Sequence, residues 1–319
     1  MRRLRSILPA LAAVLIAGAW GPGAAAAGLQ RTASGRQLWV DCRGEKTAAP
    51  TVILESGAFG ISADWDHLLP DLARDGRVCA YDRGGLGRSP RRPGGEDVVS
   101  IAHELADLLD GMGETAPVIL VGHSNGALYA ETFAAMWPDR LAGLVYVNGV
   151  GSDDLDHKVL MNALDDERRI AGLAFVAGRM HLAPLIAGFV IRHEGLTGEA
   201  AERKRESLTS LCSLQIGRNE DRMVTPGLSA ARALGGSPRQ VPTVVVIAAS
   251  KADLLSRFGW RDAEMAPADR SARGWTLSVL GASHVSPLGR DRRYVVAAVT
   301  WLRSISQPPA ATTPPATAP

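Results

Sequence analysis

Residues 122–126 are Gly-His-Ser-Asn-Gly, a G-x-S-x-G pattern that could present Ser124 as a nucleophile. The preceding residues 118–121 are apolar and mostly β-branched, which predicts a buried strand, and residues 127–136 are predicted to form a helix. A serine on so sharp a turn needs small flanking residues, because a Cβ there would collide with the neighbouring strand or helix. The pattern therefore predicts nucleophilic catalysis by Ser124, although glycine and serine also form such turns without any chemistry.

A serine hydroxyl is a weak nucleophile near neutral pH, so it needs a neighbouring base and an orienting acid. In open α/β sheets the chemically active groups follow the carboxyl ends of strands. Among the seven histidines, His284 best meets this condition, because it directly follows a predicted strand at residues 275–280. His123 lies within the turn, and its ring is expected to point away from the serine and to serve packing or a local hydrogen bond. We therefore expect His284 to be the general base.

The orienting acid is expected after the predicted strand at residues 241–247, where Asp253 is the nearest acidic residue. This assignment gives the chain order Ser124, Asp253, His284, which is the order expected for this kind of turn. Asp253 could instead cap a helix that begins at the next residue. The remaining candidate acids are Asp153 and Asp154 and, farther from a strand end, Asp262 and Glu264.

Acyl chemistry at Ser124 also needs two backbone N–H donors for the oxyanion. One is expected from Asn125, the residue after the nucleophile, and the other from Ala58, in the loop after the predicted strand at residues 51–54. Gly57 would let the backbone turn so that the Ala58 amide faces the serine. The alternative is an ordinary glycine-rich turn.

Elements that could position these residues alternate along the chain. Predicted strands cover residues 36–42, 51–54, 77–81, 118–121, 141–147, 241–247 and 275–280, and predicted helices cover residues 98–109, 127–136 and 292–305. This alternation predicts an α/β fold with a mostly parallel sheet flanked by helices. Residues 152–240 lack buried strands and contain helical runs such as residues 173–191, so a helical insertion is expected there.

The length of 319 residues and the hydrophobic content of 46% fit one large domain with an insertion, or two small domains. The formal net charge is +2, and removing the three arginines among the first five residues leaves −1. Nothing in this balance suggests a nucleic-acid partner.

Both ends of the chain differ in composition from the rest. The three arginines among the first five residues are followed by an apolar run at residues 7–20, which is too short to span a membrane comfortably, and by four alanines at residues 24–27. This is typical of a signal peptide cleaved near residue 27 and predicts a secreted or periplasmic protein, the alternative being an uncleaved N-terminal anchor. Residues 307–319 contain Pro, Ala and Thr but no charge and are predicted to be disordered.

From about residue 36 to residue 305 the chain resembles the α/β-hydrolase superfamily. The matching pieces are Leu-Glu-Ser-Gly-Ala-Phe-Gly at residues 54–60, Tyr-Asp-Arg-Gly-Gly-Leu-Gly-Arg-Ser at residues 81–89, the pattern at residues 122–126, Asp253, and Gly-Ala-Ser-His at residues 281–284. Many members carry His-Gly in the oxyanion loop, where this chain has Ser56 and Gly57.

The resemblance implies a hydrolase core at residues 28–151 and 241–306, with residues 152–240 forming a helical cap over the site. It implies that residues 82–89 form a structural turn without a catalytic role. In this fold the strand carrying Cys42 lies beside the strand carrying Cys79, which makes a disulfide possible and leaves Cys212 free in the cap.

Together these observations predict an exported serine hydrolase that cleaves carboxylic esters of small or medium apolar acids through an acyl-enzyme. Apolar segments at residues 173–176 and 182–190 would form the pocket wall. No metal or organic cofactor is needed for this chemistry, and a small-molecule ester is the expected partner. The alternatives are the same triad acting as a C–C bond hydrolase, lactonase or acyltransferase, and a non-catalytic ligand-binding protein.

Overall fold

The computed structural model describes residues 26–156, 158–249 and 260–306. Most of the predicted signal peptide, the predicted disordered tail and the predicted acid Asp253 lie outside the described residues.

An eight-stranded sheet forms the centre of the molecule, in the order β1-β2-β4-β3-β5-β6-β7-β8. The strands are β1 Ala26–Arg31, β2 Gln37–Arg43, β3 Val52–Glu55, β4 Val78–Tyr81, β5 Val118–His123, β6 Leu141–Val147, β7 Thr243–Ala249 and β8 Gly274–Leu280. The pairs β1–β2 and β2–β4 are antiparallel, and all the remaining pairs, from β4–β3 to β7–β8, are parallel. The predicted fold class is therefore confirmed, whereas β1 was not predicted.

Helices cover both faces of the sheet, which is why its central strands are apolar without interruption. The helices among the described residues are α1 Leu69–Leu72, α2 Val98–Gly111, α3 Asn125–Met136, α4 Lys158–Arg179, α5 Ala183–Glu194, α6 Gly198–Thr209, α7 Leu211–Arg222, α8 Val224–Ala233, α9 Trp260–Arg270 and α10 Arg293–Ser306. Side chains of α2, α3 and α9 share one core with one face of the sheet. Those of α1 and α10 share a second core with the opposite face.

Helices α4 to α8 lie between β6 and β7, where the helical insertion was expected. We call them the cap helices. The predicted helical run at residues 173–191 is interrupted, because α4 ends at Arg179 and α5 begins at Ala183. Between them His181 has a positive φ of 60°. Pro184 lies in the first turn of α5, the position where a residue without an N–H disturbs a helix least.

The antiparallel pair β2–β4 places Cys42 directly opposite Cys79, and a disulfide joins them. The bridge that the resemblance made possible is thus present. Cys212, on α7, is a free and exposed thiol. Within the described ranges, no helix is both long enough and apolar enough to cross a membrane.

Candidate active site

Ser124 occupies the sharp turn between β5 and α3, with φ 54° and ψ −127°. A Cβ on Gly122 would lie 2.5 Å from the Cα of Ala127, and one on Gly126 would lie 2.3 Å from the carbonyl oxygen of Glu55. Both flanking positions therefore require glycine because of close backbone approach. A non-glycine residue in this backbone region is strained, and such strain concentrates at functional sites.

The loop after β3 lies against the serine. A Cβ on Gly57 would be 2.9 Å from the Cβ of Ser124. Among the described residues, neither the Ala58 N–H nor the Asn125 N–H has a hydrogen-bond acceptor. The Asn125 N–H belongs to the first turn of α3, where backbone N–H groups have no partner within the helix. Ala58 lines the cavity described below, whereas the Asn125 side chain is fully buried.

His284 follows β8, and its own backbone carbonyl is held from two sides. Asn148 Nδ2 donates to this oxygen at 2.7 Å, and His123 Nε2 lies 3.1 Å from it. Asn148 Oδ1 also accepts the N–H of Ala248 at 2.5 Å, so this side chain connects the ends of β6 and β7 to the histidine loop. Sequence reasoning missed Asn148, although its position directly after a predicted strand was a usable signal.

His123 does not point away from the site as expected. It lines the same cavity as Ser124, and its ring centroid lies 4.8 Å from that of His284. Burial, followed by the neighbouring His284, lowers the pKa of His123 to about 3. A neutral ring with its proton on Nε2 fits the contact with the His284 carbonyl.

The His284 side chain is exposed toward the cavity, and the protein around it lowers the pKa of its imidazole by desolvation. It is therefore expected to be neutral at neutral pH, as a general base must be. Among the described residues no hydrogen bond joins the Ser124 hydroxyl to His284, although both side chains line one cavity.

That cavity has a volume of about 320 Å³ and separates the carboxyl ends of the strands from the cap helices. Its apolar walls come largely from α4 and α5, through Ile170, Ala174, Ile186 and Val190. The predicted wall segments are therefore correct only in part, because their larger side chains, such as Leu185, are exposed to solvent instead.

Polar groups occupy the cap side of the cavity. The buried Lys204 ammonium lies 2.8 Å from Asp64 and 3.6 Å from Glu194. Burial raises the pKa of Glu194 to about 7 and that of Asp221 to about 6. Across the part of the chain that the structure describes, no cluster of His, Cys, Asp or Glu could hold a metal ion.

The alternative acids near the end of β6 have other partners. Asp153 is paired with Arg270. Asp154 is buried, accepts the N–H of Gly151 at 2.8 Å, and has a pKa raised to about 7 by burial. Neither residue lines the cavity. Glu264 lies on α9, and the side chain of Asp262 is not among those described.

Arg83, in the turn after β4, holds the loop that follows β3. Its guanidinium donates to the carbonyl oxygens of Ser56 at 2.6 Å and Gly57 at 2.9 Å. It also pairs with Glu55 of the core at 2.7 Å and with Glu220 of α7 at 2.8 Å, and all three charged side chains are almost completely buried. The turn at residues 82–89 thus connects the loop after β3 to the cap helices.

Comparison with known proteins agrees with this architecture. Residues 50–222 match the model of the alpha/beta hydrolase fold family, which is more than half of the chain. The chain is 39% identical over 105 residues to RutD of Stutzerimonas stutzeri, provisionally named as a carbamate hydrolase. That match covers 33% of this chain and 39% of the relative.

Two solved structures show the same fold. A thermophilic esterase from Thermogutta terrifontis superposes with a TM-score of 0.64 at 22% identity, covering 89% of this chain and all of that one. The epoxide hydrolase VrEH1 from Vigna radiata superposes with a TM-score of 0.68 at 16% identity, covering 88% of this chain and 98% of that one. With the sheet order, the serine turn and the family match in agreement, the chain belongs to the alpha/beta hydrolase fold family.

Proposed function

We propose that this protein is an exported serine hydrolase that cleaves carboxylic esters of small or medium apolar acids through an acyl-enzyme. The observation that carries the proposal is the convergence of Ser124, His284 and the Ala58 loop on one largely apolar cavity. A volume of about 320 Å³ lies at the lower end of the range for small-molecule sites, which favours a compact acyl group.

In the proposed mechanism the Ser124 hydroxyl attacks the ester carbonyl while His284 takes its proton. The backbone N–H groups of Asn125 and Ala58 stabilise the negative charge that develops on the carbonyl oxygen. His284 then protonates the leaving alcohol, and a water activated by the same imidazole releases the acid. Asp253 is proposed to orient the imidazole.

Export is proposed from the basic, apolar and small-residue pattern of the first 27 residues. β1 begins at Ala26, so cleavage after residue 27 would remove the first two residues of this edge strand. N-terminal sequencing of the protein recovered from the periplasm and the medium tests both the export and the cleavage position. Recovery of the protein only from the cytoplasm would contradict the proposal.

The test of the reaction is fluorophosphonate labelling of the purified protein, with mass mapping of the modified residue, beside hydrolysis of p-nitrophenyl esters of increasing acyl length. We expect a single label at Ser124 and a fall in kcat of at least about a thousandfold in Ser124→Ala and His284→Ala. Ser304→Ala is the matched control, because it removes an exposed serine hydroxyl on α10, away from the cavity.

Other outcomes separate the alternatives. Hydrolysis that survives Ser124→Ala would reject the mechanism. Labelling at Ser124 without turnover of any ester would favour lactone, C–C bond or acyl-transfer chemistry in the same site. Absence of labelling would favour a ligand-binding protein on the hydrolase fold. Unchanged kcat in Asp253→Asn would remove Asp253 from the proposed triad.

A further inference from the structure

Exposed apolar side chains are concentrated on two of the cap helices. Thirteen large hydrophobic residues are exposed within the described ranges, and eight of them lie on α4, α5 or their connection. We call these eight the α4–α5 apolar face: Ile170, Leu173, Val176, Met180, Leu182, Leu185, Ile186 and Phe189. Leu185 and Phe189 are 76% and 71% exposed, so this face is not part of the protein core.

The face follows from the helical repeat. On α5, Leu185 and Phe189 are four residues apart and lie on one side, while the opposite side buries Ala183, Ala187 and Ile191. The inner side of α5 therefore joins a core, whereas Leu185 and Phe189 on its outer side remain exposed, and the Phe189 ring contacts only the His193 ring of the same helix among the recorded ring pairs of the described residues. Contiguous exposed apolar surface of this kind marks an interaction site.

The chain segment that carries the face contains only basic charges, and the acidic Asp165 and Asp166 just before it pair with Arg168 and Arg169. From Arg168 to His193 the chain contains no acidic residue, and Arg179 and Arg192 are both exposed within this stretch. Arg218 of α7 adds a further cation, because its guanidinium lies 4.9 Å from the ring of Phe175 on α4. An apolar helical face bordered by arginines complements a lipid surface with anionic head groups.

The face is also continuous with the candidate active site. Ile170 and Ile186 belong to the face and at the same time line the cavity that contains Ser124. An apolar molecule leaving a lipid surface at this face would therefore meet the cavity wall directly.

We propose that the α4–α5 apolar face docks on an anionic lipid surface, with α4 and α5 lying in the plane of the interface. Neither helix could span a bilayer, so the contact is peripheral. Docking does not depend on the reaction at Ser124. Only its consequence, delivery of lipid-dissolved esters to the cavity, rests on the proposed function.

A site-specific fluorescent probe tests the docking separately from catalysis. Leu185→Cys in a chain that also carries Cys212→Ser and Ser124→Ala is labelled with an environment-sensitive nitrobenzoxadiazole dye. The matched control is Leu234→Cys in the same background, because Leu234 is an exposed leucine at the end of α8, outside the face. Both proteins are titrated with vesicles of phosphatidylcholine alone and of equal parts phosphatidylcholine and phosphatidylglycerol.

We expect the emission at position 185 to rise severalfold and to shift to the blue with the anionic vesicles, and the emission at position 234 to stay unchanged. Arg179→Gln together with Arg192→Gln should weaken this partitioning on the order of tenfold, and added salt should weaken it further. Equal responses at the two positions, or no response at position 185, would overturn the proposal.

A second copy of this chain is the competing occupant. If a second copy covers the face, sedimentation equilibrium without vesicles should show a dimer, and the double variant Leu185→Asp with Phe189→Asp should be a monomer. Dimerisation without a vesicle response would reject lipid docking in favour of self-association.

The consequence for catalysis is tested with Leu185→Ser and Phe189→Ser, neither of which lines the cavity. We expect both to leave hydrolysis of dissolved p-nitrophenyl acetate unchanged while lowering hydrolysis of esters embedded in vesicles.

Discussion

At the scale of single residues, His284 is positioned through its backbone carbonyl, which Asn148 and His123 contact from two elements of the core. A misplacement of about 1 Å at a reacting group can cost on the order of a hundredfold in rate. If His284 acts as the proposed base, the side chains that hold this carbonyl affect catalysis without touching the substrate.

We expect Asn148→Ala to lower kcat for p-nitrophenyl esters by roughly ten- to a hundredfold while KM stays within about twofold, because the histidine loop loses its clamp. The free energy of unfolding should fall by about 1–3 kcal/mol, since the Ala248 N–H loses its acceptor. Asn162→Ala, at an exposed position on α4, is the control. An unchanged kcat in Asn148→Ala would limit the residue to a purely structural role.

His123 predicts a pH dependence of stability. Its pKa in the folded protein is about 3, below the ordinary value of 6.5, so the unfolded chain binds the extra proton first as the pH falls. Its contribution to stability is therefore present above pH 6.5 and decreases toward pH 3, by about 1.4 kcal/mol per pH unit.

We expect the stability difference between the parent protein and His123→Gln to shrink by about 2 kcal/mol from pH 6.5 to pH 5 in urea unfolding. The difference measurement is needed because Asp154 and Glu194, whose pKa values are raised, oppose this trend. Asn162→Ala, which removes an exposed side chain that does not titrate, should show no such change. A constant difference across this range would show that His123 titrates normally.

At the scale of elements, the turn after β4 connects three parts of the fold through Arg83. The guanidinium has acceptors on β3, on the loop after β3 and on α7, and it lies 4.9 Å from the ring of Tyr129 on α3. The planar guanidinium has five N–H donors and can donate to all these acceptors at once, whereas a lysine ammonium, with three donors at one nitrogen, cannot.

We expect Arg83→Met to lower the free energy of unfolding by about 3–5 kcal/mol, because Glu55 and Glu220 would stay buried without the arginine they share, keeping only Tyr81 and Arg92 respectively. Arg83→Lys should restore part of this stability but leave kcat reduced, because Ser56 and Gly57 lose their shared donor. Arg88→Ala in the same turn breaks exposed ion pairs and the contact with the Trp39 ring, and should change stability by only about 1 kcal/mol or less. Full activity in Arg83→Lys would show that activity does not require the hydrogen bonds from the guanidinium to the loop after β3.

At the scale of the whole molecule, the disulfide between Cys42 and Cys79 closes a loop of sequence separation 37 that includes β3 and α1. We expect Cys42→Ser with Cys79→Ser to lower the free energy of unfolding by about 2–4 kcal/mol. Reductant should lower the stability of the parent protein in urea unfolding by the same amount and leave the double variant unchanged. Cys212→Ser is the control, and an equal loss in that variant would contradict this assignment.

Much of the fold could be predicted because its signals are local. The strand at residues 141–147 matches β6, and the helix expected from residue 98 begins there as α2. A short, β-branched apolar run between turn residues favours a buried strand, and these signals lie within the segment itself. The error at residues 173–191 has the opposite origin, because apolar composition continues through the turn between α4 and α5 and hides it.

Neighbours along the chain are enough to predict that Ser124 lies in a strand-to-helix turn, that His284 follows a strand and that the fold is α/β. Contacts between distant residues are visible only in the folded protein: Arg83 pairs with Glu220, 137 residues away, and Asn148 holds His284, 136 residues away. The sequence alone does not distinguish an arginine or glutamate that becomes buried from one that stays on the surface. Only folding brings together the opposite charges of β3, of α7 and of the turn after β4, and removes the water that would otherwise solvate them.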